Sequence, residues 1–199
     1  MIPAVCPVAF WAGEHIELTR DFLWRLCVEG IDAVVYHNGG PLAARGWDML
    51  RGCEARVVDA QDWPFFRMWN RGIKKSRRHD EVLVLNNDIY WEPGALVALH
   101  DHLKVQPPDV AIVSPNPEGE PRHCFAIRSR LAVHVDERYL TWWGDVELEY
   151  GVKERGLRCV QFNPGITHPH IQTTTDHIPG IHDMRLADEA LFKSRWVVR

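Results

Sequence analysis

The stretch VLVLNNDIYW, residues 82–91, decides how the rest of the chain is read. Four apolar residues suited to a buried strand run straight into Asn86, Asn87 and Asp88. A strand interior cannot satisfy those side chains, so the strand must end at them and present them to something polar. Whatever meets this strand tip is the first question that the sequence poses.

Working outward, apolar runs and helical stripes alternate. AVCPVAF (4–10) and DAVVY (32–36) read as buried strands, and Ile16, Phe22, Leu23, Leu26 and Cys27 between them repeat at helical spacing. HNGGP (37–41) has the glycines and proline of a ligand-facing loop. ARVVDA (55–60) reads as a third strand, followed by WPFFRMWNRGIKKS (63–76), where Phe65, Trp69, Ile73 and Ser76 share a helical face. After EVLVL (81–85) comes EPGALVALHDHL, with Pro93 placed in a first helical turn and Leu96, Leu99 and Leu103 on one stripe. This alternation predicts an α/β fold with a mixed, mostly parallel sheet covered by helices on both faces. Ligands gather at the carboxyl ends of such strands, which is where residues 86–88 lie.

The second half is less regular. VAIVSP (110–115) and HCFAIRS (123–129) read as strands joined by PNPEGEP, and WWGDVELEYGVKERG as a helix stopped by Gly156. CVQF, the turn NPG and ITHPH follow, and TTTD (173–176) reads as a loop. With 199 residues, one domain over 1–199 is expected, its first half (1–105) regular, its second (106–170) less so, followed by a C-terminal loop and helix (171–199).

Lys plus Arg number 23 against 27 Asp plus Glu, so a net charge of −4 gives no global reason to expect nucleic acid or a membrane surface as partner. The local run KKSRRH (74–79) reads either as a solvated helix end or as a basic patch. Five scattered cysteines without CxxC spacing argue against a zinc ribbon and against a disulfide framework. No membrane span and no signal peptide are expected, and a cytoplasmic location follows as the default.

Three groups could carry chemistry. Asp88 after two asparagines offers hard oxygen ligands for magnesium or manganese, or else an Asx turn that caps the next helix. Asp145 sits at a helix start with Glu147 and Glu149 behind it, as a dipole complement or as a general base. Trp142 and Trp143 beside it could wall a sugar or fill the core. His168 and His170, two apart in an extended segment, are structural or complete a metal's coordination.

The order of HNGG, WPFFRMWNRGIKKS, VLVLNNDIYWEPGAL, HCFAIRSRL and DERYLTWWGDVELEYGVKERGLRCVQFNPGITHPH resembles the GT-A glycosyltransferases of family 2, particularly the rhamnosyltransferase-like branch, over about residues 3–170. The resemblance implies an inverting transferase, a UDP-, dTDP- or GDP-linked sugar donor, an acceptor hydroxyl of unstated kind and Mn2+ or Mg2+. It implies that 1–105 is the nucleotide-sugar-binding half and 106–170 the acceptor and metal half, and that Asn86, Asn87 and Asp88 stand for the DxD-type signature, with Asp88 and His168 on the metal. His37, Asn38, Asn70 and Arg71 would border the nucleoside, Trp142 and Trp143 the acceptor, and Asp145 would be the base. The chain departs from the family pattern at Asn86, where a carboxylate is usual, at Gly144, where a glutamate precedes the catalytic aspartate, and at His37, where an acid is common. A silent nucleotide-sugar or glycan-binding module is the alternative function. A sugar-1-phosphate nucleotidyltransferase is disfavoured because AFWAGEH, and not a basic glycine-rich loop, follows the first strand.

Overall fold

A computed structural model describes residues 1–53, 55–131, 134–168 and 177–197. The elements run β1 (Ile2–Val8), α1 (Gly13–Val28), β2 (Ile31–His37), α2 (Ala43–Arg51), β3 (Arg56–Asp59), α3 (Phe65–Lys75), β4 (Glu81–Leu85), β5 (Tyr90–Trp91) and α4 (Ala95–Val105). They continue with β6 (Val110–Ser114), β7 (Cys124–Arg128), α5 (Gly144–Glu154), β8 (Arg158–Gln161), β9 (Ile166–Thr167) and α6 (Ile181–Trp196).

Seven strands form one sheet in the order β3-β2-β1-β4-β7-β6-β8. β7 runs antiparallel to both neighbours, and the other pairings are parallel. Every residue of β4 is buried, as a strand covered on both faces requires. Side-chain alternation divides it: Leu83 and Leu85 join the core under α1, α2 and α4, while Val82 and Val84 join the core under α3, α5 and α6. In β6 the alternation breaks at a bulge between Val110 and Ile112, which sends Ala111 and Ile112 to the same core. The predicted fold class is the observed one.

Pro3 and Pro7 sit in a central strand, where a missing N–H usually forbids proline. They are accommodated because the β1–β4 ladder is confined to Ala4 and Val5, between them. Two expectations need correction. Pro93 precedes α4, whose first residue is Ala95 after a left-handed Gly94. The nine residues of α2 are an unanticipated helix, and they close tightly on β1's exit: a Cβ on Gly46 would meet the Phe10 ring at 2.1 Å.

The antiparallel pair β5–β9 aligns Tyr90 with Thr167 and Trp91 with Ile166. This two-residue ladder carries the start of the histidine segment back to the β4 tip. His170 and the TTTD stretch lie outside the described residues. Among the described residues, no helix is long and apolar enough to cross a membrane.

Candidate functional site

The carboxyl ends of β1, β2 and β4 open into a cleft of about 810 Å3. Asn86, Asn87 and Asp88 reach it from the β4 tip, Asn38 from the loop after β2, Trp142 and Asp145 from the start of α5, and His168 from the segment after β9. The loop after β2 approaches closely because Gly40 holds φ +100° against Phe10, whose carbonyl oxygen a Cβ would meet at 2.5 Å.

The three residues at the β4 tip divide the work. The Asn86 N–H donates to the His123 carbonyl at 2.8 Å, which continues the β4–β7 ladder and holds the tip straight. Asn87 Nδ2 donates to Thr19 Oγ1 at 2.7 Å, and that hydroxyl donates to the His15 carbonyl, so Asn87 anchors the tip to α1. Asn86 Oδ1 and Asp88 Oδ1 are buried and have no hydrogen-bond partner. Asp88 Oδ2 lies 3.1 Å from His168 Nε2, and the His168 ring stacks on His123 with centroids 3.6 Å apart and planes 8° from parallel.

Buried oxygens without partners are costly, and a cation is what this set would satisfy. A carboxylate, an amide oxygen and an imidazole make a donor set whose chemistry fits a divalent ion such as Mn2+ or Mg2+, and Asp88, His168 and the Asn86 amide are the groups that would hold one. A second group of ligand-type side chains, Glu14, His15 and His177, brings its donor atoms within 4.8 Å of one another. There, His15 Nδ1 accepts the N–H of Trp11 (3.2 Å) and of Ala12 (3.3 Å), which places the ring proton on Nε2 and leaves neither nitrogen for a cation. His15 serves α1 as its N-terminal cap.

Asp145 stands in the first turn of α5, and its Oδ1 accepts the Val146 N–H at 2.9 Å. Burial raises its carboxyl above the usual carboxylate range, while that N–H and the nearby Arg122 charge act in the opposite direction. Gly144 before it has a packing reason to be glycine, since a Cβ there would meet the Phe66 ring at 2.5 Å.

The remaining site candidates separate. Asn38 lines the cleft, and its amide, oriented with the nitrogen toward the loop after β3, donates to the carbonyls of Ala60 (3.0 Å) and Trp63 (3.2 Å). His37 does not border the cleft: it is fully buried with its ring packed between Phe10 and Trp47, and burial lowers its pKa. The last residue of β2, His37, thus points into the core, and the cleft is met only by the loop that follows it. Asn70 and Arg71 are also turned away. At about 100° per residue they follow Trp69, which does line the cleft, around α3 to another depression. Trp142 borders the cleft, but the Trp143 ring packs on Phe192 of α6, and its left-handed backbone (φ +64°) opens α5. Glu147 is buried, accepts the Asp136 N–H at 2.6 Å and pairs with Arg195, so it is committed to structure.

Sequence reasoning missed several contributors. Trp63, Arg122 and His123 line the cleft, and Met184 reaches it from α6. Asp188, almost fully buried, accepts the N–H groups of Leu140, Thr141 and Trp142, each at 2.8 Å, and so fixes the loop that leads into Asp145. No local signal marks these residues, because each acts on a segment distant in sequence.

No family profile and no curated protein matches the sequence. Solved structures match by fold. A mannosyltransferase from Pyrobaculum calidifontis, in complex with GDP-Man and Mn2+, is 13% identical with a TM-score of 0.64, over 100% of this chain and 64% of that one. Glucosyl-3-phosphoglycerate synthase from Mycobacterium tuberculosis, with Mn2+, UDP and glucosyl-3-phosphoglycerate, is 14% identical with a TM-score of 0.64, over 100% of this chain and 81% of that one. A nucleotidyl transferase from Methanothermobacter thermautotroptrophicus is 18% identical with a TM-score of 0.55, over 98% and 99%. This chain has the GT-A fold, and it spans less than two thirds of the mannosyltransferase.

Proposed function

We propose that this chain is a metal-dependent glycosyltransferase that moves a sugar from a UDP-, dTDP- or GDP-linked donor to an acceptor hydroxyl with inversion. The carrying observation is the cluster of Asp88, Asn86 and His168, whose unsatisfied buried oxygens face the same cleft as Asp145. When bound, a divalent ion neutralises the charge that develops on a departing nucleoside diphosphate.

The residues of the chain would do the rest. Asp88 and His168 would hold that ion at the β4 tip, while Asn38 orders the loop from Ala60 to Trp63 on the nucleoside side. Asp145 takes the acceptor proton as the hydroxyl attacks from the face opposite the leaving group. A carboxyl with a raised pKa is a stronger base than an exposed one, which suits a sugar hydroxyl. Trp142 supplies an apolar wall on the acceptor side, with Arg185 5.9 Å over its ring. The mannosyltransferase and the phosphoglycerate-linked synthase support the reading through their fold and through the nucleotides and Mn2+ bound in them.

The likeness to a nucleotidyl transferase supplies a second reading, a nucleotidyltransferase on the same fold. A panel of UDP-, dTDP- and GDP-sugars with and without Mn2+, read by thermal shift and then by product analysis, separates the alternatives. Release of nucleoside diphosphate from a nucleotide sugar supports the transferase. Binding without turnover supports the silent module, and pyrophosphate released from a nucleoside triphosphate and a sugar phosphate supports the nucleotidyltransferase.

A further inference from the structure

A second concavity of about 420 Å3 lies between the outer side of α3 and residues 134–137. Its floor is rigid. The buried Asn70 amide donates to the Val135 carbonyl at 2.8 Å and accepts the Val135 N–H at 3.1 Å, which locks helix and strap together. Its rim is basic: Arg71 and Lys74 stand three residues apart on one helical face, and Arg77 follows in the 3-10 turn Ser76–Arg78.

These cations are clustered, and none is paired with a carboxylate among the described residues. Among the described residues, thirteen arginines and lysines make an ion pair with Asp or Glu. Arg71, Lys74, Lys75, Arg77 and Arg78 make none, although the chain as a whole is acidic. The pocket's one acid, Glu137, is engaged with Arg67 (3.8 Å) and Asn70 (3.4 Å). His134 at the rim has its pKa lowered by burial first and then by the charges of Arg77, Arg155 and Lys74, with Glu137 acting in the opposite direction.

Concentrated like charge around a concave, rigid polar floor is costly without a counter-charge, and guanidinium forks match the geometry of a tetrahedral oxyanion. We propose that this pocket binds a phosphate-type oxyanion, carried by a soluble phosphate ester or by an anionic lipid headgroup, at a site separate from the cleft. Two residues of the basic run KKSRRH, Lys74 and Arg77, thereby do more than solvate a helix end: with Arg71 they form the rim of a binding site. The site does not depend on the transferase reading.

The test is an NMR titration of the full chain with inorganic phosphate at low salt. Backbone amides of residues 70–77 and 134–137 should shift saturably, and raising NaCl to about 200 mM should weaken the response several-fold by screening. The variant R71Q/K74Q/R77Q should lose the shifts, and its spectrum elsewhere should stay unchanged because all three side chains are exposed. Asp88→Ala should keep the shifts, which separates this site from the cleft. Co-sedimentation with phosphatidylcholine vesicles, with and without phosphatidic acid, then assigns the source. Pelleting only with phosphatidic acid, and lost in the triple variant, identifies a headgroup; no pelleting identifies a soluble ester. Absence of saturable shifts, or equal shifts in wild type and triple variant, would overturn the proposal.

Discussion

His168 Nε2 lies 3.1 Å from Asp88 Oδ2, across 80 positions of sequence. The approach is produced by the β5–β9 pair, whose register sets Thr167 opposite Tyr90 and so delivers the next residue to the strand tip. Stacking on His123 fixes the ring plane. The carboxylate keeps its other oxygen buried and unpaired.

His168→Ala should weaken Mn2+-dependent binding of the nucleotide sugar by about tenfold, in the range expected when one neutral ligand or its support is lost. Removing an imidazole leaves the carboxylate ligand in place, so some metal response should remain. Titration calorimetry with and without Mn2+ measures it, and an unchanged affinity would take His168 out of the metal site.

The β4 tip was legible because a fully apolar run cannot end on Asn-Asn-Asp without a reason, and the helices of long apolar stripe were legible for the same kind of reason. The short helix α2 was not, since its nine residues include Gly46 and bury only Gly46 and Leu50. The two-residue strands β5 and β9 were not either, because two residues carry no periodicity. At the site, sequence named Asn38, Asp88, Asp145 and His168 but could not orient neighbours: His37, Asn70 and Trp143 each sit one position from a cleft residue and point elsewhere. Asp188 was invisible because its three donors lie 46 to 48 residues earlier.

Gly144→Ala should destabilise the fold by about 1–3 kcal/mol, since the added methyl meets a buried aromatic ring and the core must shift. Urea denaturation measures the loss. A further change, Phe66→Leu, should recover part of it by making room. Equal stability of Gly144→Ala and wild type would mean that Phe66 does not dictate the glycine.

Asp188→Ala leaves three backbone N–H groups without their acceptor, and a loss of about 3 kcal/mol or more is expected. Because those groups belong to residues 140–142, the change should also expose amides there to faster hydrogen exchange than in the sheet. Exchange that remains as slow as in wild type would show that the loop is held by other contacts.

Asp145 links activity to pH in a definite direction. Its folded-state pKa is raised by burial, so transfer should fall as pH drops through a value above the usual carboxylate range. For stability the sign is opposite: the folded carboxyl holds its proton more tightly than the unfolded one, so stability is lost as pH rises from the unfolded pKa through the folded one. Asp145→Asn should therefore hold or raise the melting temperature at neutral pH, leave donor affinity near wild type and reduce transfer by roughly 10² to 10⁴-fold. Retained transfer would remove Asp145 as the base, and the commitment of Glu147 to Asp136 and Arg195 leaves it a poor substitute.

The most direct test of the central claim is calorimetric titration of UDP-, dTDP- and GDP-sugars into wild type and Asp88→Ala, each with and without Mn2+. The expected result is that at least one nucleotide sugar binds wild type only with the metal, and that Asp88→Ala weakens this binding by about 100-fold or more while its melting temperature stays within a few degrees of wild type. Metal-independent binding, or the same metal-dependent affinity in both proteins, would contradict the assignment of the β4 tip as a metal and diphosphate site.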